Sequence, residues 1–128
     1  MNRTPNEEHV LEVGQANFES EVLASKEPVV VLFWAPRSAL CRLLRPTLKE
    51  IVSGSLGTVK FATINCDENP ELTLWYGVHF IPMLLCFIDG VVCASIDGTA
   101  SNEAILAKLE SCIRDYHPTT ISQTSNEN

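Results

Sequence analysis

The longest apolar run is VVVLFWA at residues 29–35. It is apolar at every position and rich in β-branched side chains, the pattern of a strand buried on both faces. Shorter blocks flank it. HVLEV at 9–13 predicts a short strand, and residues 15–25 predict a helix with Phe18, Val22 and Leu23 on one side, closed by Lys26, Glu27 and Pro28. Beyond Pro36 and Arg37, Leu40, Leu44, Leu48, Ile51 and Val52 recur at helical spacing and predict a helix over 38–53. Pro46 lies inside it, where it removes one helical hydrogen bond and bends the axis. TVKFATIN at 58–65 predicts another strand, and Asn69-Pro70 opens a short helix that runs to Tyr76 and stops at Gly77.

MLLCFIDGVVCASI at 83–96 reads as a hairpin turning on Asp89-Gly90. A last helix follows over 101–115, its apolar face made by Ile105, Leu106, Leu109, Cys112 and Ile113. The order β α β α β α β β α combines parallel crossovers with an antiparallel hairpin. It predicts an α/β fold: a central mixed sheet with helices on both faces. The domain expectation is a flexible N-terminus at 1–8, one domain over 9–115, and a polar, disordered tail at 116–128.

A chain of 128 residues with 45% hydrophobic side chains suits one domain with one core. Charged residues make up 20% and the net charge is -7, which argues against nucleic acid as a partner. No uncharged apolar stretch reaches the roughly 18 residues of a membrane span. The start, MNRTPNEEHV, lacks the pattern of a signal peptide. The expectation is therefore a cytoplasmic protein with no membrane partner, monomeric or weakly dimeric.

Five cysteines, Cys41, Cys66, Cys86, Cys93 and Cys112, sit mostly within apolar runs and read as small buried hydrophobes. No two form a C-x-x-C pair, none has zinc-site spacing, and His9, His79 and His117 are scattered. No metal and no cofactor are expected. Cys86 and Cys93 lie symmetrically about Asp89-Gly90. A two-residue turn would set them opposite one another, where either a disulfide or two packed thiols fits.

Several segments, in register, resemble the thioredoxin family. FWA at 33–35 leads into the position of that family's W-C-G-P-C. Pro46 matches the proline of its active-site helix, INCDENPEL at 64–72 its D-x-N-P segment, YGVHFIPMLLCFIDG at 76–90 its Y-G-I-x-x-I-P-T-L-L stretch, and Gly98 the glycine beside its substrate groove. The likeness runs over roughly 9–115. It implies the thioredoxin fold and a cis Ile81-Pro82 bond facing the active-site loop.

The resemblance also sets Ser38 at the place of the first, attacking cysteine, and Cys41 at that of the second, resolving one. Thiol–disulfide exchange begins with a thiolate, and a serine hydroxyl cannot form a disulfide. Leu32 stands where the family buries an aspartate, Thr63 where a lysine is common, and Arg37 where a second tryptophan is usual. Ser38 also fits a plain role as a helix N-cap, and Arg37, with Arg42 and Arg45, makes a local basic patch.

The main expectation is a protein-binding or regulatory module. Its groove would comprise Trp34, Arg37, Ile81, Pro82, Asp97 and Gly98, with Trp75 and Phe80 extending an apolar patch for a protein partner. The alternative is an atypical redox protein acting through Cys41 or a Cys86/Cys93 pair. A holdase resting on the apolar patch is a third reading.

Overall fold

The computed structural model describes residues 10–115. The expected segments 1–8 and 116–128 therefore fall outside the described residues. Nine elements follow one another: β1 (Leu11–Glu12), α1 (Glu19–Leu23), β2 (Val29–Trp34), α2 (Ala39–Ser55), β3 (Lys60–Asn65), α3 (Pro70–Trp75), β4 (Met83–Ile88), β5 (Val91–Asp97) and α4 (Asn102–Arg114). The strands form one sheet in the order β1-β3-β2-β4-β5. β2 pairs with β3 in parallel and with β4 antiparallel, so the sheet is mixed about its own centre.

Every residue of β2 is buried. Side chains alternate across a strand, and β2 feeds two cores. Val30, Leu32 and Trp34 face α2 and α4, meeting Cys41, Leu48, Val52, Ile105 and Leu109. Val29, Val31 and Phe33 face the other way, toward Phe18, Val22 and Val78. There Phe18, Tyr76 and Phe87 pack with ring centroids 5.3–5.7 Å apart, within the range of favourable aromatic contacts. The fold is the thioredoxin fold, with helices on both faces.

Three elements differ from the sequence pattern. The strand expected over 9–13 is two residues long, extended by a Val13 N–H bond to Thr63 O at 2.9 Å. The helix expected over 15–25 shrinks to one π-type turn, in which Ala24 N–H donates to Glu19 O at 2.8 Å. A turn delays it: Gly14 N–H donates to Asn17 Oδ1 at 2.8 Å, and Asn17 N–H returns to Gly14 O at 3.2 Å. In α2, Leu40 is exposed, and Cys41 takes the inward position ahead of Leu48 and Val52.

The hairpin turns on Asp89 and Gly90, both at positive φ (53° and 78°). That is the conformation favoured by two-residue hairpins. A bulge then shifts the register: Phe87 faces Val92, but Cys86 faces Ala94. Cys93 is the extra residue. Turn symmetry cannot register such an insertion.

Gly98 sits where two backbones nearly touch. Its N–H donates to Pro82 O at 2.9 Å, and a Cβ there would lie 2.9 Å from that oxygen. Gly98→Ala is expected to cost about 1–3 kcal/mol through this overlap, read as a lower urea midpoint. An unchanged midpoint would show that the two segments separate freely.

Candidate functional site

The carboxyl end of β2 delivers Trp34, Ala35, Pro36 and Arg37 into a tight loop, and α2 begins straight after it. Ser38 is the N-cap. Its Oγ accepts from Cys41 N–H at 3.2 Å, and its own N–H donates to Ala35 O at 3.1 Å. A hydroxyl in this place satisfies a donor that the first helical turn leaves unpaired. Cys41 is fully buried in the core beneath the loop, in the same cluster as Trp34.

The Ile81-Pro82 peptide bond is cis. Pro82 is buried and Ile81 half-buried. Pro82 O is tied to Gly98 N–H, while Met83 pairs with Asp97. Asp97 is exposed, and the Thr99 backbone N–H and hydroxyl, at 2.9 and 2.7 Å, hold its carboxyl below the ordinary value.

The basic patch is compensated in part. Arg37 Nε donates to both carboxylate oxygens of Asp67 at 3.0 Å. The pair is solvent-exposed and contributes roughly 0.2–1 kcal/mol. Arg42 donates to Pro36 O at 2.6 Å. Arg45 lies 4.3 Å above the Trp34 ring and 3.8 Å from Glu12. These contacts brace the loop; carboxylates face Arg37 and Arg45, while the bond from Arg42 to a neutral carbonyl leaves its charge in place.

The apolar patch is altered too. Trp75 is 80% exposed and Phe80 50%, but Pro82 is buried and adds nothing to the surface. Leu74 and Leu40 are exposed instead. Trp75 and Leu74 line a shallow groove of about 420 Å³ with Gln15, Glu71 and Leu72.

Beneath the loop, Leu32 and Thr63 are register partners on β2 and β3, both buried. Thr63 Oγ1 and Trp34 Nε1 have no hydrogen-bond partner among the described residues. Cys66, half-buried just past β3, has its thiol pushed up first by burial, and a Thr73 hydrogen bond opposes that shift.

A sequence profile of the thioredoxin family matches residues 9–111. The thioredoxin of Pseudomonas aeruginosa is 37% identical over 106 residues, covering 83% of this chain and 98% of its own. Thioredoxin 1 of Synechococcus elongatus is 37% identical over 98 residues, 77% of this chain and 92% of its own. The chain belongs to the thioredoxin family. Among the described residues, no helix is long and apolar enough to cross a membrane.

One cysteine expectation is overturned in this thioredoxin-family chain. The disulfide joins Cys93 to Cys112, with Cα atoms 6.4 Å apart, and Cys86 is a free, buried thiol. The bulge moves Cys93 out of register with Cys86, and α4 lays Cys112 against β5. The sulfurs of Cys86, Cys93 and Cys112 all lie within 4.8 Å of one another. Sequence reasoning missed this cluster because its members come from three elements without local metal-site spacing. The available signal was Cys112 on the apolar face of a helix that must cover the β4–β5 hairpin.

Two outcomes follow. Ser38→Ala is expected to destabilise the fold by about 1 kcal/mol, with Ser38→Asp retaining most of the cap. Equal denaturation midpoints for wild type and Ser38→Ala would remove the capping role. Burial pushes the Cys86 thiol from 9.0 up to about 11. Because the folded value is the higher, the unfolded chain ionises first. The stabilisation is complete below about pH 9 and lost as pH rises toward 11. Wild-type unfolding free energy should fall faster than that of Cys86→Ala between pH 8.5 and 10. Parallel curves would contradict this.

Proposed function

We propose that this chain is a protein-binding member of the thioredoxin family that lacks the family's attacking cysteine. One observation carries the reading. The position that the resemblance gives to that cysteine holds Ser38, whose hydroxyl caps α2, and Cys41 below it has no solvent access. A hydroxyl there cannot open a disulfide, and a sealed thiol cannot meet a substrate sulfur.

The rest of the groove favours retained recognition. Ile81, Pro82, Asp97 and Gly98 bring two backbone segments together, with Ile81 packed against the cluster that holds Trp34, and an extended peptide is the occupant such an edge suits. Exposed Trp75, Phe80 and Leu40 offer apolar contacts of the kind enriched in binding hot spots. Leu32 in place of a buried acid agrees with a site freed from proton transfer. A monomer or weak dimer in the cytoplasm is part of this proposal.

The Cys93–Cys112 disulfide favours a second reading, an atypical thiol–disulfide protein. Persistent disulfides belong to oxidising compartments, and cytosolic ones are usually transient or sensing. A cytoplasmic location would therefore make this bond a redox-responsive one.

Insulin-disulfide reduction with dithiothreitol separates the readings. Wild type should match the uncatalysed rate, and Ser38→Cys should gain several-fold activity because the groove still takes substrate. Wild-type catalysis that disappears in Cys112→Ser would overturn the binding reading in favour of the second.

A further inference from the structure

Two cysteines suffice to staple α4 to β5, and a staple leaves the third sulfur unexplained. Cys86 comes from the buried floor of β4, Cys93 from the exposed bulge of β5, and Cys112 from the half-buried side of α4. Their sulfurs converge within 4.8 Å, while the other two cysteines, Cys41 and Cys66, remain free and outside the cluster. None of the three elements carries Ser38 or Cys41, so the cluster does not depend on the reading of that loop.

We propose that Cys86, Cys93 and Cys112 form a redox-gated site for one thiophilic divalent cation of the zinc class. The disulfide is its closed state. An external dithiol opens it: the Cys93–Cys112 bond breaks, two electrons and two protons make two thiols, and the donor leaves as its own disulfide. A cation then takes three thiolates and displaces their protons to solvent. In reverse, a disulfide oxidant takes two electrons from the Cys93 and Cys112 thiolates and two protons from solvent and leaves as two thiols, while Cys86 regains its proton from solvent. The Cys93–Cys112 bond re-forms and the ion departs.

Thiolate sulfur selects zinc-class ions over magnesium or calcium. Zinc–sulfur bonds of about 2.3 Å set tetrahedral sulfurs somewhat under 4 Å apart, so the observed convergence needs only side-chain rotation once the disulfide opens. Cys93 has room for it: a bulge residue is free of the regular ladder. The site is also reachable. An open groove of about 660 Å³ lies over Cys93 and Cys112, lined further by Ser95, Lys108, Ser111 and Asp115. Three protein ligands leave a fourth position facing this groove, open to water. Lys108 lies one turn before Cys112 on α4 and offsets the negative charge of three thiolates.

The test is anaerobic titration of the full chain with cobalt(II), after a phosphine reductant or without it. The reduced chain should bind one ion, with sulfur-to-cobalt charge-transfer absorption, and zinc should displace it. The untreated, disulfide-bonded chain should show neither signal. Cys86→Ser, Cys93→Ser and Cys112→Ser should each weaken binding by at least about tenfold, since even outer-shell losses cost 10–100-fold. Cys41→Ser and Cys66→Ser should leave it unchanged. Exposed Cys93 keeps the test sound if Cys86→Ser fails to fold. No one-to-one complex in the reduced chain would overturn the proposal. So would equal binding by the oxidised chain, or full binding by Cys93→Ser.

Discussion

The structure depends on one buried strand. β2 has no solvent-facing side, and each of its residues commits to one of two cores. It pairs parallel to β3 and antiparallel to β4, so it fixes the register of the strands that carry most of the sheet. A polar side chain on it would be costly to bury without partners. The same strand ends at Trp34 and hands the chain to the loop that starts α2. The geometry of the candidate site therefore inherits the rigidity of β2.

That constraint clarifies the chemistry below the loop. Leu32 points into the core shared with Cys41 and Trp34. A carboxylate at this position would be costly to bury unless it were paired. Thr63 Oγ1 and Trp34 Nε1 are already orphaned donors in the same layer. Each unpaired buried group carries a cost of about 1–3 kcal/mol. Leu32, being apolar, adds no further polar group to that layer and offers these two no partner. In the loop, the arginines contact Asp67, Pro36 O and the Trp34 ring and so brace the backbone there.

Much of this was legible in the sequence because periodicity reports burial. VVVLFWA could only be a central strand, and Asp89-Gly90 could only turn a hairpin, since both residues adopt positive φ. Ser38 at a strand-to-helix junction announced its cap. What periodicity cannot report is an insertion of one residue into a ladder. The bulge at Cys86/Phe87 left both strands in place yet moved Cys93 out of line with Cys86. The α1 segment failed for a related reason. Phe18 and Val22 had helical spacing, but the Gly14–Asn17 turn claimed the backbone ahead of them. Pro82 is buried: sequence shows which residue stands beside a groove, and only packing shows that it lies beneath one.

The bulge ties the two cysteine regions to different physical demands. Cys41 lies in a fully buried layer whose shape is set by β2, so its sulfur serves packing and a change of redox state there would have to break the core. Cys93 lies on β5, an edge strand whose side chains are mostly exposed, and α4 closes over it from one side only. Bond formation between Cys93 and Cys112 constrains a helix against an edge and leaves β2 untouched. Redox chemistry in this fold is thus least disruptive where the sheet ends. The sulfurs that converge there can change partners while the loop at Ser38 keeps its geometry.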